Sequence, residues 1–120
     1  MRIHILGVIL LVSLTLAGCS KGRSTDGLIV DLKSANEGHR INAVRLLQQR
    51  KGDASKVVPA LIESLNDEHA DIRWSAAIGL GYFGADAKTA IPALKKAQGD
   101  TDARIREAAR VAISRIGGGK

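Results

Sequence analysis

Few residues in this 120-residue chain have side chains suited to covalent or metal chemistry. The chain contains one cysteine, Cys19, and three histidines, His4, His39 and His69. A single cysteine excludes an internal disulfide and a zinc site built from several cysteines. The chemistry left to Cys19 is therefore modification of its own thiol.

Cys19 lies at the end of an apolar N-terminal segment. Arg2 gives this segment a positive charge, and residues 5–16 form an apolar run shorter than the roughly 20 residues of a membrane-spanning helix. This pattern is typical of a secretory signal. Residues 16–19, Leu-Ala-Gly-Cys, resemble the bacterial lipobox. The resemblance implies that the Cys19 thiol receives a diacylglyceryl group and that Cys19 becomes the N-terminus of the mature protein.

The lipobox divides the N-terminal part of the chain in two. Residues 1–18 form the predicted lipoprotein signal peptide, and residues 19–25 form the lipidated N-terminus with a short polar tether. Because each buried methylene contributes about 0.8 kcal/mol, two or three acyl chains make release from a membrane negligible. Ser20 stands where an aspartate would, by the same resemblance, retain the protein at the inner membrane. We therefore expect a lipid-anchored protein of the bacterial cell envelope, at the outer membrane facing the periplasm if the cell is Gram-negative.

The composition predicts helices packed through small side chains. Aromatic residues make up 2% of the chain and hydrophobic residues 45%. The core must then consist of Leu, Ile, Val and Ala, which favours helices over an aromatic-rich β-sandwich.

A repeat of 33 residues organises the sequence after the tether. The same residue types recur 33 positions later without a gap. The first set is Arg40, Ala43, Leu47, Asp53, Ala54, Pro59, Ala60, Leu61 and Asp67, and the second set is Arg73, Ala76, Leu80, Asp86, Ala87, Pro92, Ala93, Leu94 and Asp100. Such regularity indicates a stacked array of units. The helical spacing of apolar residues predicts two helices per unit, near residues 26–34, 37–50, 55–66, 69–83, 88–98 and 102–116.

Individual residues predict where these helices begin and end. Asp67 and Asp100 precede the first helix of a unit, where an N-cap is expected. Pro59 and Pro92 are expected near the start of the second helices. Gly84 is expected at a helix C-terminus, in a left-handed conformation.

Residues 71–84, 90–94 and 104–117 carry a family resemblance. They are similar to HEAT repeats of the short phycobilisome-lyase-like type. The resemblance implies an all-α fold, a short right-handed α-solenoid of about two and a half repeats, with the first helices in the outer layer and the second helices in the inner one. This domain covers residues 26–117, and residues 118–120 form a C-terminal tail.

The two ends of such an array are expected to differ from its middle. In the first unit, Arg45 and Arg50 occupy columns that are apolar in the later units, as in a capping repeat. No second helix is predicted after the last one, so part of its apolar face stays open: Ile105, Val111 or Ile113. We expect Arg110 and Arg115 to cover this edge as a polar cap. The alternative is a homodimer or a partner contact through the C-terminal helix.

Catalysis and metal binding are not expected. Some HEAT-like hydroxylases hold a di-iron centre with His-Glu pairs, but this chain contains no His-Glu dipeptide, and Glu68-His69 is reversed and unrepeated. A bilin lyase role is unexpected for an exported lipoprotein, because pigment proteins are cytoplasmic. The sequence therefore predicts no enzyme activity, no metal and no cofactor.

The chain is basic, with a formal net charge of +6, or about +5 after removal of the signal peptide. Its last predicted helix carries Arg104, Arg106, Arg110 and Arg115. Export and the absence of interleaved aromatic residues argue against a nucleic acid partner. Anionic lipid headgroups or an acidic protein fit better. The alternative is a solvated basic face that only keeps the domain soluble.

Arg40, Arg73 and Arg106 share one column of the repeat, and Asp67 and Asp100 share another. Charged residues that recur in register predict a ladder of Arg–Asp hydrogen bonds between successive repeats. We expect this ladder to have a structural role.

All three aromatic residues fall in one predicted helix. Phe83 aligns with Ile116 and is predicted to lie in the core. Trp74, Ile78 and Tyr82 are spaced four residues apart and share one face. Because Trp and Tyr are frequent interface anchors, this face, extended by Arg104 and Arg110, is the candidate interaction surface. The alternative is that Trp74 fills a gap between neighbouring first helices.

Together these features predict a membrane-anchored lipoprotein that binds protein partners as a scaffold or adaptor. Two alternatives stay open. One is a lyase-like or other enzyme-accessory protein, and the other is a structural envelope protein that self-associates.

Overall fold

The computed structural model describes residues 22–118, which form six α-helices and two 3-10 segments. The helices are α1 (Thr25–Asp31), α2 (Glu37–Leu47), α3 (Ala54–Ser64), α4 (Ala70–Phe83), α5 (Ile91–Ala97) and α6 (Ala103–Ile116). The 3-10 segments are Lys51–Asp53 and Gly84–Ala90. All six predicted helices are present. The predictions for residues 1–21, including the signal peptide and Cys19, lie outside the described residues, as do the last two residues of the tail.

The helices stack as a short α-solenoid of two layers. The first helices of the units, α2, α4 and α6, lie side by side, with α4 in contact with both neighbours. The second helices, α3 and α5, pack behind them against α4 and α6. Leu47, Leu61, Leu80, Leu94 and Ile105 are fully buried between the layers. The predicted small-residue core is confirmed, and Phe83 belongs to it.

The predicted N-caps at Asp67 and Asp100 are wrong by two residues. The N-cap positions of α4 and α6 are His69 and Asp102, and of these two only the Asp102 side chain accepts a first-turn N–H, that of Arg104. Asp67 and Asp100 stand before the cap, and their Oδ1 atoms accept the backbone N–H of His69 and Asp102, each at 2.9 Å. Both carboxylates therefore fix the turn that leads into the helix and do not cap its first turn.

Other helix ends follow the expected chemistry with one exception. Gly84 has a φ of 55° at the end of α4, so the left-handed residue expected there is present. Pro92 is in the first turn of α5. Pro59 instead lies inside α3, which begins five residues earlier, at Ala54. The absence of a Pro N–H then removes one interior hydrogen bond from this helix.

Two glycines allow the first helices to approach closely. A Cβ atom at Gly81 would lie 3.2 Å from the Cα of Ala112, so a side chain there would push α6 away from α4. A Cβ atom at Gly79 would lie 2.6 Å from Cγ of Gln48. Gln48 uses the space to donate from Nε2 to the carbonyl of Ser75 at 2.9 Å, which ties α2 to α4.

The C-terminal edge is more covered than the sequence predicts. Ile105 is fully buried, contrary to expectation, because it packs into the shared core. Val111 and Ile113 are half-buried, and Arg110 and Arg115 are exposed on the same helix. Within residues 22–118, no helix has the length and apolar character needed to cross a membrane.

Candidate functional site

Arg40 and Arg73 make the same side-chain hydrogen bonds in successive repeats. Arg40 donates from Nε and Nη2 to the two carboxylate oxygens of Asp67, at 2.9 and 3.2 Å. Arg73 donates from the same atoms to Asp100, also at 2.9 and 3.2 Å. Both pairs have the bidentate geometry in which guanidinium and carboxylate bind most strongly. We call these two pairs the Arg–Asp ladder.

The third nitrogen of each arginine is bound to the backbone. Nη1 of Arg40 donates to the carbonyl oxygens of Ser34 and Ala35, at 2.9 and 3.3 Å. Nη1 of Arg73 donates to those of Asp67 and Glu68, at 2.8 and 3.1 Å. Each guanidinium thus joins the loop before its own helix to the loop after the next helix.

The ladder lies in a largely buried environment. The side chains of Arg40 and Asp67 are 8% and 13% exposed, and those of Arg73 and Asp100 are 16% and 12% exposed. The hydrogen bonds from Arg73 hold the pKa of Asp100 below its ordinary value of 3.8. The hydrogen bond to Asp67 raises the pKa of Arg40. Both shifts favour the charged forms of Asp100 and Arg40, and each of these charges lies against its partner in the ladder.

Arg106, the third arginine of the column, has only the backbone half of this arrangement. Its Nη1 donates to the carbonyl oxygens of Asp100 and Thr101, at 2.8 and 3.2 Å. Its side chain is exposed, and no carboxylate of the described residues contacts it. The structure therefore joins Arg40 to Asp67 and Arg73 to Asp100, and leaves Arg106 without an acidic partner there.

The second group of candidate residues lies along α4. Trp74 is 37% exposed and Tyr82 is 52% exposed, and Ile78 is half-buried between them. We call these three residues the α4 surface. They line a cavity of about 350 Å³ between α4 and α6, and a second cavity of about 570 Å³ between α2 and α4. Trp74 is therefore partly packed between first helices and still presents its ring at the surface.

Cationic side chains lie over the aromatic rings of α4. The guanidinium of Arg104 is 5.8 Å from the centre of the Trp74 ring, and that of Arg115 is 5.5 Å from the centre of the Tyr82 ring. Lys51 reaches Phe83 at 4.9 Å and donates to the carbonyl of Tyr82. Such cation–π contacts hold the rings in place and give the surface a basic rim.

The arginines of this rim differ in their charge partners. Arg104 donates to Asp71 at 3.0 Å and to Asp102 at 2.8 Å, and these hydrogen bonds raise its pKa. Within the described residues, Arg45 and Arg115 line the two cavities without a carboxylate partner. Arg110, which the sequence placed in the candidate surface, lines neither cavity. It pairs instead with Glu107, with Nη2 and Oε1 2.6 Å apart.

The histidines have local structural contacts. The backbone of His69 begins α4, and its Nε2 lies 3.3 Å from Oε2 of Glu37. His39 Nδ1 lies 3.4 Å from the hydroxyl of Ser34. Among residues 22–118, no three His, Cys, Asp or Glu side chains are grouped so that they could hold a metal ion.

Comparison with known proteins identifies the family. Residues 25–117 match the family model described as HEAT repeats. The chain belongs to the HEAT repeat family. The family accounts for the two helical layers and for the repeat that the sequence shows.

A solved structure shares this HEAT fold. It is the complex of CpcE and CpcF of phycocyanin lyase from Nostoc sp. PCC7120, which matches with 27% sequence identity and a TM-score of 0.72. The match covers 81% of this chain and 38% of that chain, so this protein spans less than half the length of the lyase chain. No curated protein matches the sequence. The likeness agrees with the HEAT repeats that the family model identifies.

Sequence reasoning missed several residues of the site. Arg115 shares the column of Tyr82 one repeat later, and Asp71 shares that of Arg104, so the 33-residue register contained a signal for both contacts. Lys51 stands in the column of Gly84, and its approach to the α4 aromatics depends on the path of the 3-10 segment. Only the structure shows that contact.

The ladder predicts an unequal effect of two alanine substitutions. Arg73→Ala removes the bidentate pair with Asp100 and leaves a largely buried carboxylate without its partner, which costs about 1–2 kcal/mol. We expect the Tm of the full chain to fall by roughly 5–12 °C. Arg106→Ala is the matched control, because it removes only the two carbonyl contacts, and it should cause less than half this fall. Equal falls, or an unchanged Tm for Arg73→Ala, would contradict a stabilising role for the pair.

The ladder also predicts how stability depends on pH. The pKa of Asp100 is lower in the folded chain than its ordinary value of 3.8, so the folded state binds fewer protons. Its contribution is then present above about pH 4 and is lost as the pH falls through the folded pKa. Between about pH 5 and pH 2.5, the Tm of Asp100→Asn should fall less than the Tm of the wild type. Glu63→Gln, at a residue without an ion pair among the described residues, should retain the wild-type pH profile.

Proposed function

We propose that this HEAT-repeat protein is a lipid-anchored adaptor or scaffold of the bacterial cell envelope, and that it binds a protein partner through the α4 surface. The anchor is the acylated Cys19, and the domain has no catalysis of its own. The observation that carries the proposal is the pair of exposed aromatic side chains, Trp74 and Tyr82, between two cavities on the same layer of helices.

The physical properties of the α4 surface suit protein binding. Trp and Tyr bury a large area with few rotatable bonds, so they lose little entropy on binding. The cavities on either side can accept side chains of the partner, and the larger one holds about 570 Å³. Arg45 and Arg115, at the rim, favour a partner that carries acidic residues next to an apolar anchor.

The net charge of the chain also supports a location at a membrane surface. A formal net charge of about +5 after removal of the signal peptide attracts the mature protein to anionic headgroups, and the lipid on Cys19 would hold it at the membrane surface. The tether of residues 19–25 is short, so the partner would be a membrane protein or another protein bound close to the membrane. Nucleic acid is not among the proposed partners.

A lyase-accessory role is the second candidate. It is favoured by the likeness to the phycocyanin lyase complex, at a TM-score of 0.72. Such a role requires a bound chromophore or cofactor, so the protein purified from its native cell should absorb visible light. A colourless preparation would oppose this candidate and leave the adaptor role in place.

Self-association in the envelope is a further alternative, in which α6 forms a homodimer. Sedimentation of the detergent-solubilised full chain distinguishes a dimer from a monomer. A monomer at about 100 μM would exclude a stable structural assembly, because its dissociation constant would then exceed that concentration.

The α4 surface predicts the loss of partner binding in one variant. Trp74→Ala should reduce the partner recovered by crosslinking in native envelopes about tenfold or more, because a buried aromatic anchor contributes about 2 kcal/mol or more. Val30→Ala is the matched control, since Val30 is a large exposed apolar residue on α1, away from both cavities. Quantitative mass spectrometry measures the yield. Equal recovery from wild type and Trp74→Ala would show that the partner binds elsewhere.

The anchor predicts a separate outcome. Cys19→Ser should abolish metabolic labelling with a fatty-acid probe and release the protein from the membrane fraction, because serine lacks the thiol that is alkylated. Wild type and Trp74→Ala should be labelled equally. Labelling that persists in Cys19→Ser would place the acyl group on another residue.

A further inference from the structure

Arg106 makes the same hydrogen bonds to the backbone as the two arginines of the Arg–Asp ladder, at similar distances. Its Nη1 donates to two successive carbonyls at 2.8 and 3.2 Å, and the corresponding distances for Arg73 are 2.8 and 3.1 Å. The carbonyls belong to the loop before α6, just as those of Arg73 belong to the loop before α4. The guanidinium is therefore held in the orientation that binds a carboxylate in the two preceding repeats.

The other edge of the Arg106 guanidinium is open. In Arg40 and Arg73, Nε and Nη2 together bind an aspartate that follows the second helix of the unit. For Arg106, neither atom has an acceptor among the described residues, and the side chain is exposed. A bidentate donor that is already oriented loses little entropy when it binds, so it is a ready site for a planar anion.

The ladder itself indicates which anion fits. The same edge of the same residue type binds an aspartate carboxylate twice in this chain, at 2.9 and 3.2 Å both times. In both cases the aspartate is on a loop between two helices. The matching ligand is therefore an aspartate on a helix–loop segment of another protein.

A second copy of this chain does not supply that aspartate at its opposite end. The 33-residue register puts Ser34 in the column of Asp67 and Asp100. Ser34 makes the equivalent turn contact, in which its hydroxyl accepts the N–H of Asn36 at 3.1 Å, but it carries no charge. Head-to-tail stacking of two copies would then offer Arg106 a hydroxyl group, so the favoured occupant is a different protein.

The neighbouring residues of α6 add a partly exposed apolar contact to this site. Arg110 occupies the column of Val44 and Ala77, which are fully buried by the following elements. Ile113 occupies the column of Leu47 and Leu80 and is half-buried. Arg110 pairs with Glu107, so the edge presents the open donors of Arg106 beside one partly exposed apolar side chain. This combination suits an acidic loop attached to an amphipathic helix.

We propose that Arg106 is a preformed carboxylate-binding site at the C-terminal edge of the solenoid, and that it binds an aspartate on a helix–loop segment of a partner protein. This site is separate from the α4 surface and does not depend on it. The partner's segment takes the place that α3 and its following loop have at Arg40.

The test uses a synthetic peptide of residues 54–68 with blocked ends, because this segment contains α3 and Asp67, the natural ligand of Arg40. It is titrated into the isotope-labelled full chain in detergent micelles, and NMR follows the Nε–H signal of Arg106. We expect a saturable shift with a dissociation constant in the millimolar range. The peptide with Asp67→Asn should bind about fivefold more weakly, since it loses one charge-assisted pair.

Protein variants locate the site independently of the peptide variant. Arg106→Gln lacks the Nε–H signal, so its binding is followed through the backbone amide signals of α6, which are also recorded for the wild type. It should bind about fivefold more weakly, and a Tm measurement checks that the variant is folded. Arg23→Gln and Trp74→Ala should bind as the wild type does. Absence of a saturable shift at Arg106, equal binding of the Asp67→Asn peptide, or loss of binding in Trp74→Ala would each overturn the proposal. The first two results would leave the proposed α4 surface unaffected.

Discussion

The bidentate pair between an arginine of one repeat and an aspartate before the next is the interaction on which the rest of the structure depends. A single guanidinium binds two loops at once, through Nη1 to one and through Nε and Nη2 to the other. The aspartate in turn accepts the N–H that opens the following helix, at 2.9 Å for Asp100. A polar contact at one end of the helices therefore sets the spacing and the register of α2, α4 and α6. The apolar side chains of the core then pack behind this contact.

This register determines what the α4 surface can be. The ladder holds α4 and α6 together at their N-terminal ends. Gly81 has no side chain, so α4 approaches α6 closely at Ala112, and the larger side chains of the outer face lie beside this contact. Trp74 and Tyr82, which flank this contact on the outer face, are 37% and 52% exposed. Small residues in the seam and large ones at the surface are two consequences of the same close packing.

Much of the fold could be predicted from the sequence because the repeat is free of gaps. Six helices and a small-residue core follow from the periodicity of apolar residues, and Asp67 and Asp100 were recognised as paired with arginines. Their assignment as N-caps failed for a physical reason. Asp67 and Asp100 lie two residues before the N-cap positions, His69 and Asp102, so their Oδ1 atoms reach the N–H of the N-cap residue and not an N–H of the first turn. The 33-residue register aligns Asn36, His69 and Asp102 at that position.

The two ends of the solenoid differ in a way that apolar packing alone does not require. Ser34 replaces the aspartate at the first end, so Arg40 is the first arginine to receive a carboxylate. At the other end, the column retains its arginine and the backbone contacts that orient it. A purely protective cap needs only exposed charge, as Arg110 provides beside Glu107. An arginine whose side chain is held by two carbonyl oxygens is more ordered than such a cap requires. Because its guanidinium is already oriented, it loses little entropy when a carboxylate binds to its open edge.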